Sequence, residues 1–322
     1  MKIMKILRKY PFLGPLIALV LVYVLFAIFA PPSFLRLENL ATMARQTVVV
    51  GIAAAGMTLV ILLGGIDLSV GSMVALSTVV AALGLRAGFS GPMAASLAML
   101  SGLSVGLVNG VLSTALRITP FIVTLGSMSA IRGLAKGLAD SQKIDAPPRG
   151  LDVLQAPLPD GFGWAIFPPG VWIMLLVSAL VAAMLVYTRL GRHIVAIGSN
   201  EATARLCGVS VSQVKWIVYA TAGCLAGLAG VMEFSTLTVG DPTDSMGLEL
   251  EVIAAVVIGG GSLAGGEASV AGALFGAMLM TVIRTGSTHL GIDNWVQQIV
   301  TGLIIVAAVA MDRARRGAST SG

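Results

Sequence analysis

The sequence predicts an all-α, polytopic integral membrane protein with about ten transmembrane helices. Of its 322 residues, 57% are hydrophobic and only 11% are charged, against roughly 25% charged in an average soluble domain. The mean hydropathy is +0.95. The apolar residues also fall into runs of span length, divided by short polar joints. A soluble globule needs a polar, charged surface, and this chain lacks the residues to make one. The same figures exclude a disordered chain and a disulfide-stapled secreted domain.

A hydrocarbon core of about 30 Å takes roughly 20 apolar residues per helix. Such runs lie near 12–30, 47–63, 70–85, 92–116, 121–138, 170–187, 214–234, 248–258, 263–283 and 295–311. The first follows the basic segment MKIMKILRKY. It reads as a retained span rather than a cleaved signal peptide, being long and followed by Pro31-Pro32 without a small-residue cleavage site. The runs at 70–85 and 248–258 are short. They fit either broken, re-entrant helices or tilted spans. The 39 glycines let helices approach closely in lipid.

Ten spans put both termini on one side. With the termini cytoplasmic, twelve of the twenty basic residues fall inside, most clearly at the N-terminus, in the loop 189–213 and in the C-terminal DRARR. Membrane topology therefore explains the basic residues, and no nucleic-acid partner is expected. Eleven of the fifteen acidic residues fall outside. That rim is either a hydrated edge or a docking face for a soluble partner with basic patches.

Two loops are long. The outer loop 139–169 holds six prolines, which forbid a continuous helix. It reads as an ordered external cap or a loop near a gate. The inner loop 189–213 is the longest cytoplasmic connection. Within it, Ser199 or Asn200 can cap a helix, Glu201 suits its N-terminal dipole, and Gly208 is a natural stop. A helix of about two turns is expected over 200–208. It serves either as a lever in a partner's groove or simply to close the loop.

Two glycine junctions follow apolar runs. In the first, Gly64-Gly65 precede Asp67 and Ser69. Asp67 can cap the next helix or carry a proton. The second contains Gly260 and Gly261 and ends in Glu267, a loose echo of the first. Neither is a phosphate loop, because no GxxxxGK[ST] occurs anywhere. Polar residues at membrane depth include Asn109, Thr119 and Thr124, with Phe121 beside them. They can hydrogen-bond or stack on a polyol, or bond across helices. Two cysteines and two histidines offer no metal set, and no catalytic constellation is visible, so no enzyme activity is expected.

GGIDLSVGSMVAL (64–76), Asn109-Gly110, TPFIVTLGSMSAIRGLA (119–135), GRHIVAIGSNEATARLCGVSV (191–211) and VIGGGSLAGGEASVAGALFGA (257–277) keep the order and spacing of a known family. Together they resemble the ribose/xylose/galactose-type permeases of bacterial ATP-binding-cassette (ABC) importers. Thr203 and Cys207 stand where that family commonly has Ala and Ser. The resemblance implies one permease domain over 1–322 with the larger-importer fold, in the bacterial inner membrane. It implies a homodimer of permeases and a cytoplasmic ATPase, either a dimer or a fused double subunit. That ATPase binds the ATP, so this chain needs no cofactor. A periplasmic solute-binding protein would dock outside. The 200–208 segment becomes the coupling helix, with Asn200, Glu201, Ala202, Arg205 and Gly208 as its working residues. Asn109, Thr119, Phe121 and Thr124 are candidates for the solute path. The alternative is an ion-coupled secondary transporter that uses Asp67.

Overall fold

The computed structural model describes residues 12–157 and 167–320. The basic N-terminal decapeptide and the middle of the 139–169 loop lie outside the described residues. The helices run in the order α1 Leu13–Phe29, α2 Leu37–Leu62, α3 Val70–Arg86, α4 Gly91–Ala115, α5 Pro120–Leu138, α6 Pro169–Tyr187, α7 Arg189–Ser199, α8 Glu201–Leu206, α9 Val211–Leu237, α10 Leu248–Ile258, α11 Val270–His289 and α12 Asn294–Thr320. Among them α2, α4, α6, α9 and α11 are long and apolar enough to cross a membrane. Three more apolar segments are shorter: α1, α3 and α12 from Asn294 to Ala307.

The centre is α2, buried without interruption from Thr47 to Leu62. Around it stand α9, α11, α10 and α6. The most extensive helix pair is α4 with α9. Gly102, Gly106 and Gly110 recur every fourth residue, so they share one face of α4. On α9, Gly223 and Gly227 do the same. A Cβ on Gly102 would strike the Gly223 carbonyl oxygen and come within 2.9 Å of the Gly227 nitrogen. The two backbones therefore touch, and that contact replaces the hydrophobic effect that lipid does not provide.

Several boundaries differ from the sequence expectation, each for a physical reason. Helix α2 starts at Leu37 rather than near residue 47, because a polar first turn carrying Glu38 extends it. Helix α11 starts at Val270 rather than near 263. The left-handed Gly265 and Gly266 hold 263–269 in a turn until Ser69's counterpart in this junction, Ser269, caps the helix by accepting from the Gly272 N–H at 3.2 Å. Helix α7 occupies a stretch read as loop. Its polar exposed side hides a stripe of Gly191, Ile194 and Ile197 that packs inward.

At the far end of α3 the chain forms a cap. Strand β1 Ile144–Asp145 pairs antiparallel with β2 Val239–Gly240. Arg86 Nε donates to the Asp145 carbonyl at 2.7 Å, and Lys143 bridges Asp241 at 3.1 Å. Beyond β2 the chain turns back inward. The Ser245 carbonyl reaches Gly71, in the first turn of α3. Helix α10 starts there and has only eleven residues, so it covers about 16 Å. That is about half of a hydrocarbon core.

Candidate functional site

The two glycine junctions and the end of α7 meet at one point. A Cβ on Gly198 would collide with the Leu62 carbonyl oxygen and stand 2.6 Å from the Gly266 nitrogen. A Cβ on Gly265 would stand 2.7 Å from the Gly198 oxygen and 2.9 Å from the Gly64 Cα. The Gly266 N–H donates to the Leu62 carbonyl at 2.9 Å. Three segments remote in sequence thus share a contact that admits no side chain. Gly260 and Gly261 belong to the same turn. Gly260 is left-handed, and a Cβ on Gly261 would come within 2.8 Å of the Val256 carbonyl oxygen.

Next to this point sits a buried polar chain. Asp67 is buried, and its Oδ1 accepts from the Ser69 N–H at 2.9 Å and the Ser69 hydroxyl at 2.6 Å. This closes the turn that starts α3. Asn109 Nδ2 donates to Ser69 Oγ at 2.9 Å. Thr124 Oγ1 donates to the Ile66 carbonyl at 3.0 Å. Asn109 and Thr124, read as candidates for the solute path, thus tie α4 and α5 to the first junction. Thr119 and Phe121 lie on the exposed side of α5's first turn. The four are not brought to one surface.

The loop helix grows directly from this hub. One residue after Ser199, Asn200 caps α8 by accepting from the Thr203 N–H at 2.9 Å. Ala204 is buried and anchors the helix. Glu201 bridges Lys215 on α9 at 2.8 Å and Arg205 at 2.9 Å. The Lys215 bond holds the Glu201 carboxyl below its ordinary value, against partial burial, and Arg205 adds to the effect. Gly208 is left-handed and ends the element. Ala202 and Arg205 face outward, and Leu206 is 89% exposed. A short, braced helix therefore presents a bare leucine and a cation, while its root stands on the three-way glycine contact.

Residues 39–309 match the family model of the branched-chain amino acid transport system permease component. The chain belongs to this permease family. It is 40% identical over 293 residues to the ribose import permease protein RbsC of Escherichia coli strain K12, covering 88% of each chain. It is 36% identical over 286 residues to the L-arabinose ABC transporter permease protein AraH of Azospirillum brasilense, covering 88% of this chain and 83% of that one. It is 33% identical over 280 residues to the autoinducer 2 import system permease protein LsrC of Photorhabdus luminescens, covering 87% and 83%. No solved structure matches. The chain is thus a multi-pass membrane permease of the ABC importer class, and its relatives are named as permeases rather than enzymes.

Neither the α7 stripe nor the three-way contact was found by sequence reasoning. The spacing of Gly191, Ile194 and Ile197 carried the first signal. Nothing local carried the second, because backbone approach between distant segments leaves no mark except the glycines themselves.

Proposed function

We propose that this permease imports a monosaccharide or similar small polyol, with ATP hydrolysed by a separate cytoplasmic ATPase that grips α8. The observation that carries the reading is the braced α8 with Leu206 exposed at its tip. A leucine so exposed on a loop helix outside the apolar runs has no lipid to cover it and suits a partner's groove. Asn200, Glu201, Ala202, Arg205 and Gly208 form or hold this surface. The relatives named for ribose, L-arabinose and autoinducer 2 support a small hydroxylated solute.

In this reading the chain forms one permease domain of about ten spans in the inner membrane, with both termini cytoplasmic. Two copies face one another, and a periplasmic binding protein delivers the solute to the acidic outer rim. Closure of the ATPase pushes α8, and the glycine contact passes that push to α2 and α11 without slack. Asn109 and Thr124 act in this scheme by holding the junction, with Phe121 and Thr119 further along α5.

The test is reconstitution of the permease with its ATPase and binding protein, followed by sugar uptake. Charge reversal at Arg205 or Gly208→Pro should abolish uptake while ATPase activity and membrane insertion persist. Normal uptake in both variants would refute the coupling role. The ion-coupled alternative is separated by an uncoupler: collapse of the proton gradient with ATP retained stops a secondary carrier and spares an ATP-driven importer.

A further inference from the structure

We propose that the groove between α10, α11 and α12 is a hydrated wall of the solute path, suited to an uncharged, hydroxyl-rich solute. The proposal rests on the importer reading above and adds the place where the solute is met. The groove has a volume of about 670 Å³, within the range of small-molecule sites. Glu251 of α10 and Arg284 of α11 form an ion pair in its wall. The pair is partly open, with side-chain exposures of 21% and 57%. Both residues lie within the helical run of the bundle: α10 packs on α11 with Gly276 against Ala255 and Gly272 against Gly259. A charge inside a spanning helix is costly against lipid, so it faces protein or a water-filled cavity.

Helix α12 has two faces that agree with this. Asn294, Gln297, Gln298 and Thr301 line the groove, at spacings that share one side of a helix. Trp295, Ile299, Leu303 and Val306 project from the other side as exposed apolar residues. That second face suits lipid, and the first does not. Within the groove, the side chains of Asn294, Gln298 and Thr301 make no hydrogen bond among the described residues. Their amides and hydroxyl both donate and accept, as a sugar hydroxyl requires. Glu251 and Arg284 neutralise one another, so the wall offers no net charge to hold an ionic solute.

The test places single cysteines at 298 and 301, and at 299 and 303 as controls, in full-length protein carrying Cys207→Ser and Cys224→Ala. Membrane vesicles holding the complete importer are treated with a membrane-impermeant maleimide. Positions 298 and 301 should label at least tenfold faster than 299 and 303. Equal rates at the four positions would overturn the hydrated wall. Uptake of a panel of tritiated pentoses and hexoses is then measured for Gln298→Leu and Thr301→Val. A loss of tenfold or more, with ATPase activity retained, supports solute contact. Unchanged uptake in both variants overturns it. If the native protein takes up no sugar although 298 and 301 label selectively, the importer's solute class falls and the hydrated wall stands.

Discussion

The two ends of α3 are held by opposite means. At the junction end, backbone meets backbone: Leu62, Gly198 and Gly266 touch with no side chain between them. At the cap end, long side chains reach across open ground: Lys143 to Asp241 and Arg86 to the Asp145 carbonyl. A backbone contact has no rotamers, so it transmits displacement directly. A tether of lysine and arginine can lengthen or re-pair as its ends move. The molecule is stiff at the glycine junction and compliant at the cap.

The sharpest way to break this contrast is Gly198→Val. The added atoms have only backbone to displace, so a loss of about 3 kcal/mol is expected, at the upper end of overpacking costs. Thermal unfolding of the detergent-purified protein measures it, and an unchanged midpoint would mean the junction can yield. Asp67 comes next. Asp67→Leu leaves the Ser69 N–H buried without an acceptor, which costs about 1–3 kcal/mol. Asp67→Asn keeps an acceptor and should retain uptake in the presence of an uncoupler. Uptake lost in Asp67→Asn alone, at unchanged stability, would favour the ion-coupled alternative.

Glu201→Gln weakens the brace of α8 but affects stability by less than about 1 kcal/mol, since the site is half open to water. The sign with pH is fixed by its lowered folded value. The brace is fully present above the ordinary glutamate value and is lost as pH falls through the folded one. ATPase-coupled uptake at descending pH, native against variant, should converge only below about pH 4.5. The smallest effect is expected for Lys143→Met: the lysine is exposed, and the buried Asp241 keeps its bonds from the Thr243 N–H and hydroxyl, so the loss is about 0.5 kcal/mol. A large change in stability there would erase the distinction between the two ends.

Much of this architecture was legible in the sequence. The scarcity of charge predicted a membrane protein, and the ends of α8 followed from Asn200 and Gly208. Both glycine junctions stood out as turns. Their convergence did not, because residues 62, 198 and 266 meet only in three dimensions. The β1–β2 pair was likewise invisible: two residues per strand carry no periodicity. The polar stripe of α12 was present at 294, 297, 298 and 301, yet all of it but Asn294 lay inside a run read simply as apolar.

The short reach of α10 has a consequence for biosynthesis. Eleven residues cannot cross the hydrocarbon core, and Glu249 and Glu251 stand near the start of the segment. It is a poor substrate for insertion by itself. Its natural companion is α11, which follows through the 259–269 turn and packs back along it. The two are therefore expected to enter the bilayer as a hairpin. Chains truncated at residue 265 and released from the ribosome should leave α10 accessible to protease, whereas chains extended past His289 should protect it.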